Sequence, residues 1–260
     1  MNTKNTVNPD RITAEHHIIT RNKAIETNLA PAELYEIGNQ YYRRPQRSYW
    51  DFAEAVKYWH CAASRGNPGA QYNLGRCYYN GEHLDKNPEE AFSWFLRSAE
   101  NGLIAGIYMT GICYANGYGV PVDENVALKW FRRGARRQDV RCQYRLGEHF
   151  YYRSQRASDE ATAVNWFCRA AEQGDSSATY MMGRCCLAGI GVKPQRRQAL
   201  KWLRLSAKKG NSDAMELLAG AIAADDGASA AGWYFKAAKL GNLEAKTKLI
   251  ELANAIQQSA

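Results

Sequence analysis

Apolar residues recur along the chain with a period of 36, and within each period they follow helical spacing. A large aromatic residue marks each period, with one alanine three positions before it and another five positions after it. The marker residues are Tyr58, Trp94, Trp130, Trp166, Trp202 and Trp233, at intervals of 36, 36, 36, 36 and 31. A period of about 20–50 residues is typical of a repeat array, in which each unit buries its apolar face against its neighbours.

The second copy shows the elements of one unit most clearly. Ala70, Leu74 and Tyr78 fall on one face of a predicted first helix, which Gly81 ends. The tetrapeptide Asn-Pro-Glu-Glu at 87–90 supplies a helix N-cap, a proline at the first helical position and a glutamate at the third. Each period therefore predicts two helices joined by a loop.

Glycines stand inside the predicted first helices at one shared position. They are Gly38, Gly75, Gly111, Gly147 and Gly183. Glycine within a helix costs about 1 kcal/mol relative to alanine. We therefore expect a neighbouring helix to press against the backbone at each of these positions.

These signals predict an all-α protein of about six helix-turn-helix repeats of 36 residues. The predicted repeats are about 31–66, 67–102, 103–138, 139–174, 175–210 and 211–241. In the first repeat, helices are expected to begin at Pro31 and at Asp51. The sixth repeat has lost five residues before its marker, and 243–257 are predicted as a C-terminal capping helix. Residues 1–30 are predicted as a polar tail or a capping helix.

The residues that recur at the same positions in successive copies resemble the Sel-like repeat (SLR) family, relatives of the tetratricopeptide repeat. The family pattern is Ala-x-x-x-Leu-Gly-x-x-Tyr-x-x-Gly-x-Gly-Val, then Ala-x-x-Trp-(aromatic)-x-x-Ala-Ala-x-x-Gly, and copies two and five match it nearly throughout. The resemblance covers about 31–257 and implies a right-handed α-solenoid superhelix that acts as an adaptor, scaffold or regulator, often in bacteria. Some members carry paired cysteines within each repeat. Here Cys142 takes one such position but Ala135 takes the other, which disfavours a secreted, disulfide-linked protein.

Composition narrows the choice of partner and compartment. The chain of 260 residues is 45% hydrophobic and 12% aromatic, which is ample for a core, and its net charge of +8 favours a partner with an acidic surface. The sequence contains no run of 18 apolar residues, so no membrane span is predicted, and residues 1–20 show no secretory signal. Seven cysteines, an odd number, are typical of reduced thiols. We expect a cytoplasmic protein.

Catalytic and metal-binding patterns are missing from the sequence. There is no phosphate-binding Walker loop, no Gly-x-Ser-x-Gly and no His-Glu-x-x-His. Cys77, Cys113, His149 and Cys185 share one column, but packed helices lie 8–10 Å apart, too far for shared zinc ligation. We predict a non-enzymatic protein with no catalytic residue, no metal and no cofactor.

A column of tyrosines on the first helices forms the candidate site. It lies about 200° around the helix from the packing alanine. If the first helices line the concave side, as the resemblance implies, these tyrosines and their neighbours form a partner-binding groove. The candidate residues are Tyr35, Tyr42, Tyr72, Arg76, Tyr79, Tyr108, Tyr144, Tyr151, Tyr180 and Arg184. Tyrosine and arginine are enriched in binding hot spots, although the tyrosines could instead serve only to pack between repeats.

A dense basic run is the second candidate, formed by Arg132, Arg133, Arg136, Arg137, Arg141 and Arg145. It could bind an acidic partner or nucleic acid, or it could be a solvated helix face. The leading hypothesis is a scaffold or adaptor that binds a protein in the groove. The alternatives are a bacterial regulator or immunity-type inhibitor of a toxin, hydrolase or secretion component, and electrostatic binding of nucleic acid, which we consider unlikely, or of an anionic surface.

Overall fold

The computed structural model describes residues 29–46, 48–153 and 156–258. Within these ranges the chain forms thirteen α-helices and no β-strand. They are α1 Pro31–Tyr42, α2 Tyr49–Ser64, α3 Pro68–Asn80, α4 Pro88–Glu100, α5 Ile104–Asn116, α6 Glu124–Arg136, α7 Val140–Tyr152, α8 Ala157–Glu172, α9 Ser176–Ala188, α10 Arg196–Lys208, α11 Ser212–Ile222, α12 Gly227–Lys239 and α13 Leu243–Gln258. The predicted N-terminal tail or helix falls almost entirely outside the described residues.

The chain divides into two compact units, Met1–Arg137 and Gln138–Ala260. The first unit contains α1–α6 and the second contains α7–α13. Within each unit every helix packs against the next one along the chain. Odd-numbered helices are the first members of the predicted pairs and even-numbered helices the second members. The all-α, helix-pair repeat architecture predicted from the 36-residue period is confirmed.

Side-chain caps set where the helices begin. Asn87 accepts a hydrogen bond from the backbone of Glu90 and Pro88 is the first residue of α4, as predicted. The predicted start of α2 at Asp51 is wrong, because the helix begins two residues earlier. The Ser48 hydroxyl accepts from the backbone N–H of Asp51, whose carboxylate in turn accepts from the backbone N–H of Ser48.

The helix-interior glycines receive large side chains from the paired second helix, which confirms the expected close approach. A Cβ atom built on any of the five glycines would lie only 2.5 or 2.6 Å from that side chain. The pairs are Gly38 with Trp59, Gly75 with Phe95, Gly111 with Phe131, Gly147 with Phe167 and Gly183 with Leu203. The inserted side chains are all buried. This insertion brings the two helices of a pair together at each repeat.

The marker aromatic itself does not enter the glycine position. The inserted residue is the next one along the chain, which points about 100° further around the helix. Trp166, for example, is only half-buried, whereas the adjacent Phe167 is fully buried. At four of the six markers, Trp94, Trp130, Trp166 and Trp233, the ring lies beneath a cation three residues on. For Trp166 the cation is Arg169, whose guanidinium is 4.9 Å from the ring centroid.

The glycine contacts predict opposite effects of two similar substitutions within the second unit. Gly147→Ala should lower the free energy of unfolding by about 1–3 kcal/mol, because its methyl group would overlap the ring of Phe167. Gly232→Ala lies within α12 with no neighbouring atom within 4 Å, so it should raise stability by up to about 1 kcal/mol. Urea unfolding followed by far-UV circular dichroism measures both. Equal stability of the two variants would refute the packing account.

Candidate functional site

The predicted groove tyrosines lie half-buried on the first helices. Three of them contact the phenylalanine that enters the glycine position of their own helix pair. The ring centroids are 5.8 Å apart for Tyr72 and Phe95, 6.2 Å for Tyr108 and Phe131, and 5.8 Å for Tyr144 and Phe167. The tyrosine column therefore packs against the core and also reaches the surface.

A second tyrosine, seven residues further along the helix, contacts the same core ring. The ring of Tyr79 is 6.2 Å from that of Phe95, and the ring of Tyr151 is 6.1 Å from that of Phe167. In the first repeat, Tyr42 lies 5.3 Å from Trp59 in the same way. These contacts restrict the tyrosine rings, so little side-chain entropy remains to be lost on binding.

Two arginines from the predicted site lie among these tyrosines, one in each unit. In the first unit, Arg76 is hydrogen-bonded to Tyr42 and lies close to Tyr72. Burial by itself would lower the pKa of Arg76, but Tyr42, Tyr72 and Glu82 outweigh burial and the pKa is raised. We call Tyr42, Tyr72 and Arg76 the first cluster.

The second unit repeats this arrangement at the same repeat position. The Arg184 guanidinium lies 5.5 Å from the centroid of Tyr151 and 5.8 Å from that of Tyr180. It is also hydrogen-bonded to Tyr152, an exposed residue that the sequence did not single out. Position 184 follows position 76 by 108 residues, which is three periods of 36. We call Tyr151, Tyr180 and Arg184 the second cluster.

The remaining tyrosines have different neighbours. The Tyr35 ring packs over the backbone of Gly69, where a Cβ would lie 2.7 Å from it. Tyr144 lies beside Glu148, and burial, followed by the charge and hydrogen bond of Glu148, raises the pKa of the Tyr144 hydroxyl. That phenol therefore stays protonated at neutral pH and remains a hydrogen-bond donor.

The six arginines of the basic run make different contacts within their own units. In the first unit, Arg133 lies over the ring of Trp130 at 5.1 Å and Arg137 donates to the carbonyl oxygen of Gly102 at 2.7 Å. Arg132 and Arg136 are exposed. In the second unit, ion pairs join Arg141 to Asp139 at 2.9 Å and Arg145 to Glu148 at 2.8 Å. Several of these cations therefore have structural partners, and nucleic-acid binding by the run stays a prediction.

Comparison with known proteins settles the family. Six stretches of the chain match the sequence model of the Sel1 repeat, at residues 27–67, 68–103, 104–139, 140–175, 176–211 and 214–242. The chain belongs to the Sel1 repeat family. The resemblance to Sel-like repeats noted from the sequence is thus confirmed. Sel1 repeats typically form protein-interaction scaffolds.

Solved Sel1 repeat proteins share the fold. One from Oxalobacter formigenes is 30% identical with a TM-score of 0.74, covering 83% of this chain and 88% of its own. A protective antigen with an SLR fold, present in uropathogenic Escherichia coli strains, is 28% identical with a TM-score of 0.77, covering 85% of this chain. The match covers 48% of the antigen, so this chain spans about half of the antigen's length.

An immunity protein shares the fold at low sequence identity. An immunity protein from Pseudomonas aeruginosa is 19% identical with a TM-score of 0.50, covering 88% of this chain and 85% of its own. That likeness shows the fold alone. Comparison with curated proteins gives no match. No helix within the described part of this Sel1 repeat protein has the length and apolar character needed to cross a membrane.

A basic stripe on α10 is a feature that the sequence analysis missed. Arg197, Lys201, Arg204 and Lys208 are all exposed. Their spacing of i, i+4, i+7 and i+11 places them on one side of the helix. This spacing is visible in the sequence and is a usable signal for such a stripe.

Most cysteines of this Sel1 repeat protein are buried, and burial makes their thiols poor nucleophiles. Burial raises the pKa of Cys113 to about 12 and, together with the nearby Cys186, that of Cys185 to about 11. Cys61 and Cys168 are only half-buried. Among the described residues, no group of three or more His, Cys, Asp or Glu side chains is placed to hold a metal ion.

Thiol labelling should separate these two classes. At pH 8, Ellman's reagent should modify the half-buried Cys61 first and Cys168 next, because burial and Glu172 raise the pKa of Cys168. Cys113 and Cys185 should react at least about 100-fold more slowly than Cys61, because so little thiolate forms below their raised pKa. Mass spectrometry of tryptic peptides after timed quenching measures each site. Denaturant should make all sites react alike. Rapid labelling of Cys113 in the folded protein would contradict the burial of its thiol.

Proposed function

We propose that this Sel1 repeat protein is a non-enzymatic scaffold that binds a protein partner on the tyrosine and arginine face of its first helices. The observation that carries the proposal is the recurrence of one Tyr–Arg–Tyr cluster at the same repeat position in each unit. Both clusters lie on first helices, and their arginine column holds other residues in other repeats. A scaffold made from repeats can vary these positions without disturbing the glycine contacts.

Rigid placement is what suits each cluster to binding. Core aromatics support the rings of Tyr42, Tyr72 and Tyr151. In the second cluster, Arg184 is placed by the tyrosines on either side of it. A partner therefore meets side chains that are already ordered, which reduces the entropy lost on association. Tyrosine and arginine are also the residues that contribute most often to binding hot spots.

The charge of the clusters favours a partner segment with carboxylate groups. Arg76 and Arg184 each present a guanidinium that can bind a carboxylate with two parallel hydrogen bonds. Tyr72 and Tyr180 offer apolar ring area beside that charge. We propose an acidic segment with apolar side chains as the ligand of this face and the cytoplasm as the site of binding, since the cysteines are thiols.

The identity of the partner decides whether the protein acts as a scaffold or as an inhibitor. Similar Sel1 repeat proteins occur in bacteria, among them one from Oxalobacter formigenes. A bacterial regulator or an inhibitor of a toxin or hydrolase would use the same face, with the inhibited protein as the partner. The scaffold function and the inhibitor function therefore differ in the partner and not in the binding residues.

Two arginine variants test the proposal directly. After affinity capture and mass spectrometry identify a partner, the purified partner should bind Arg76→Ala or Arg184→Ala at least about tenfold more weakly than the wild type. Isothermal titration calorimetry measures the dissociation constants. Truncation removes a charge-assisted contact but leaves the glycine contacts of the core intact.

Arg97→Ala is the matched control. Arg97 also stacks on an aromatic ring, that of Trp94 at 4.7 Å, but it lies on a second helix. Its removal should leave the dissociation constant within about twofold of the wild type. Equal loss of binding in all three variants, or no loss in the two cluster variants, would refute the first-helix face as the binding surface.

A further inference from the structure

The loop between the two helices of a repeat also contacts the preceding repeat. At three such junctions, a loop residue with positive φ lies against the first turns of the preceding second helix. The His83 ring stacks on Phe52 at 4.2 Å, a Cβ on Gly119 would lie 2.0 Å from the carbonyl oxygen of Pro88, and a Cβ on Gly191 would lie 2.4 Å from that of Glu160. The loop thus covers the first turns of α2, α4 and α8.

The covered residues follow the repeat period. Positions 52, 88 and 160 are separated by 36 and 72 residues, and the next equivalent position is Arg196, at the start of α10. The loop that should cover Arg196 belongs to the sixth repeat, between α11 and α12. That repeat is the one in which the spacing of marker residues falls from 36 to 31.

An open cavity lies at the start of α10, beside the point where the short connection contacts Arg196. The cavity measures about 440 Å³ and is lined by Gln195, Arg196, Arg197, Gln198 and Lys201. The Arg196 guanidinium turns towards the short connection, where it donates to the carbonyl oxygen of Ala221 at 2.7 Å and pairs with the carboxylate of Asp225. The side chains of Arg197 and Lys201 are exposed.

The charge of α10 also differs from that of the covered helices. The first turns of α4 and α8 each carry two acidic residues, Glu89 and Glu90 or Asp159 and Glu160. The first turn of α10 has none, and Arg197 and Lys201 begin the basic stripe described above. Cations in a first turn oppose the helix dipole, and like charges four residues apart repel each other. An anionic occupant would remove both penalties.

We propose that this cavity is a second docking site, which takes an acidic loop or extended segment of a partner protein in place of the missing Sel1 loop. We infer a peptide as the occupant because a loop of the chain itself covers the equivalent first turns of α2, α4 and α8. A volume of about 440 Å³ suits a few residues. Carboxylates on that segment would pair with Arg197 and Lys201, and a glycine would allow the close backbone approach seen at Glu160.

This site is separate from the first-helix clusters because it lies on a second helix. It also differs from a general surface for nucleic acid, which would follow the whole basic stripe through phosphate contacts. The proposal assigns binding to the cavity end of the stripe only. Lys208, at the other end, lies seven residues from Lys201, or about 10 Å along the helix axis.

A pair of peptides tests the site on the full-length protein. The probes are fluorescein-labelled Glu-Gly-Asp-Gly-Val-Glu and its neutral counterpart Gln-Gly-Asn-Gly-Val-Gln, measured by fluorescence anisotropy at physiological salt. The acidic peptide should bind with a dissociation constant of about 0.1–1 mM and the neutral one at least about tenfold more weakly. Amide resonances of 195–201 should shift on titration with the acidic peptide.

Two charge reversals on the same stripe localise the binding. Lys201→Glu should weaken binding of the acidic peptide by about fivefold to tenfold, because it places a like charge in the cavity. Lys208→Glu makes the same change in net charge beyond the screening length of about 8 Å, so it should change binding less than about twofold. Circular dichroism confirms that both variants are folded.

Restoring the missing loop gives an independent test. Insertion of Gly-Ile-Gly-Val-Lys, the sequence at 189–193, between Ala223 and Ala224 returns the sixth repeat to 36 residues. The inserted loop should cover Arg196 and abolish the amide shifts that the peptide causes at 195–201, while the Arg184→Ala variant should keep those shifts as in the wild type. This last comparison separates failure of the cavity from failure of the first-helix face.

Four outcomes would overturn the docking site. They are no saturable binding of the acidic peptide, equal binding of the neutral peptide, equal weakening by Lys201→Glu and Lys208→Glu, and unchanged amide shifts at 195–201 after loop insertion. Tighter binding of a short oligodeoxythymidylate with equal sensitivity to both reversals would assign the stripe to nucleic acid. Sedimentation of the protein as a dimer that the acidic peptide cannot dissociate would assign the cavity to a second copy of the chain.

Discussion

The structure depends on the insertion of one large side chain from each second helix against a glycine of its paired first helix. A Cβ at Gly111, for example, would lie 2.5 Å from the ring of Phe131. Glycine weakens a helix, but here its missing side chain makes room for a buried ring. The alanine columns on both sides allow the same close approach. This contact recurs in both units.

Polar contacts between successive repeats preserve the spacing that these insertions establish. Arg137 and Lys209 each donate to a glycine carbonyl oxygen 35 residues earlier, at 2.7 Å. Within a repeat, the buried Ser98 and Ser206 hydroxyls donate to carbonyl oxygens at the start of the paired first helix, 30 residues earlier. A buried hydroxyl without a partner would be costly, so these bonds fix how the two helices of a pair align. The first helices are thereby presented in fixed positions.

The functional proposals rest on departures from the repeat. Arg76 and Arg184 stand in a column that otherwise holds Asn39, Ile112 and Glu148, and the α10 cavity lies where the loop of the following repeat is short. Positions that serve only packing repeat faithfully, since each makes the same contact in every unit. Positions that contact a partner are free of that requirement. Differences among repeats therefore carry more information about binding than the shared columns do.

The sequence alone determined the period, the helix pairs, the family and the need for close approach at the helical glycines, because all of these repeat at regular spacing. It also placed the groove tyrosines on one side of the first helices. It did not show that Phe95 rather than Trp94 enters the glycine position. Both residues are large and aromatic, and they differ only in the side of the helix to which their side chains point. Nor did it join Arg184 to Tyr151 or reveal the open place at Arg196. Those features arise from contacts between side chains about 30 residues apart, which only the tertiary structure brings together.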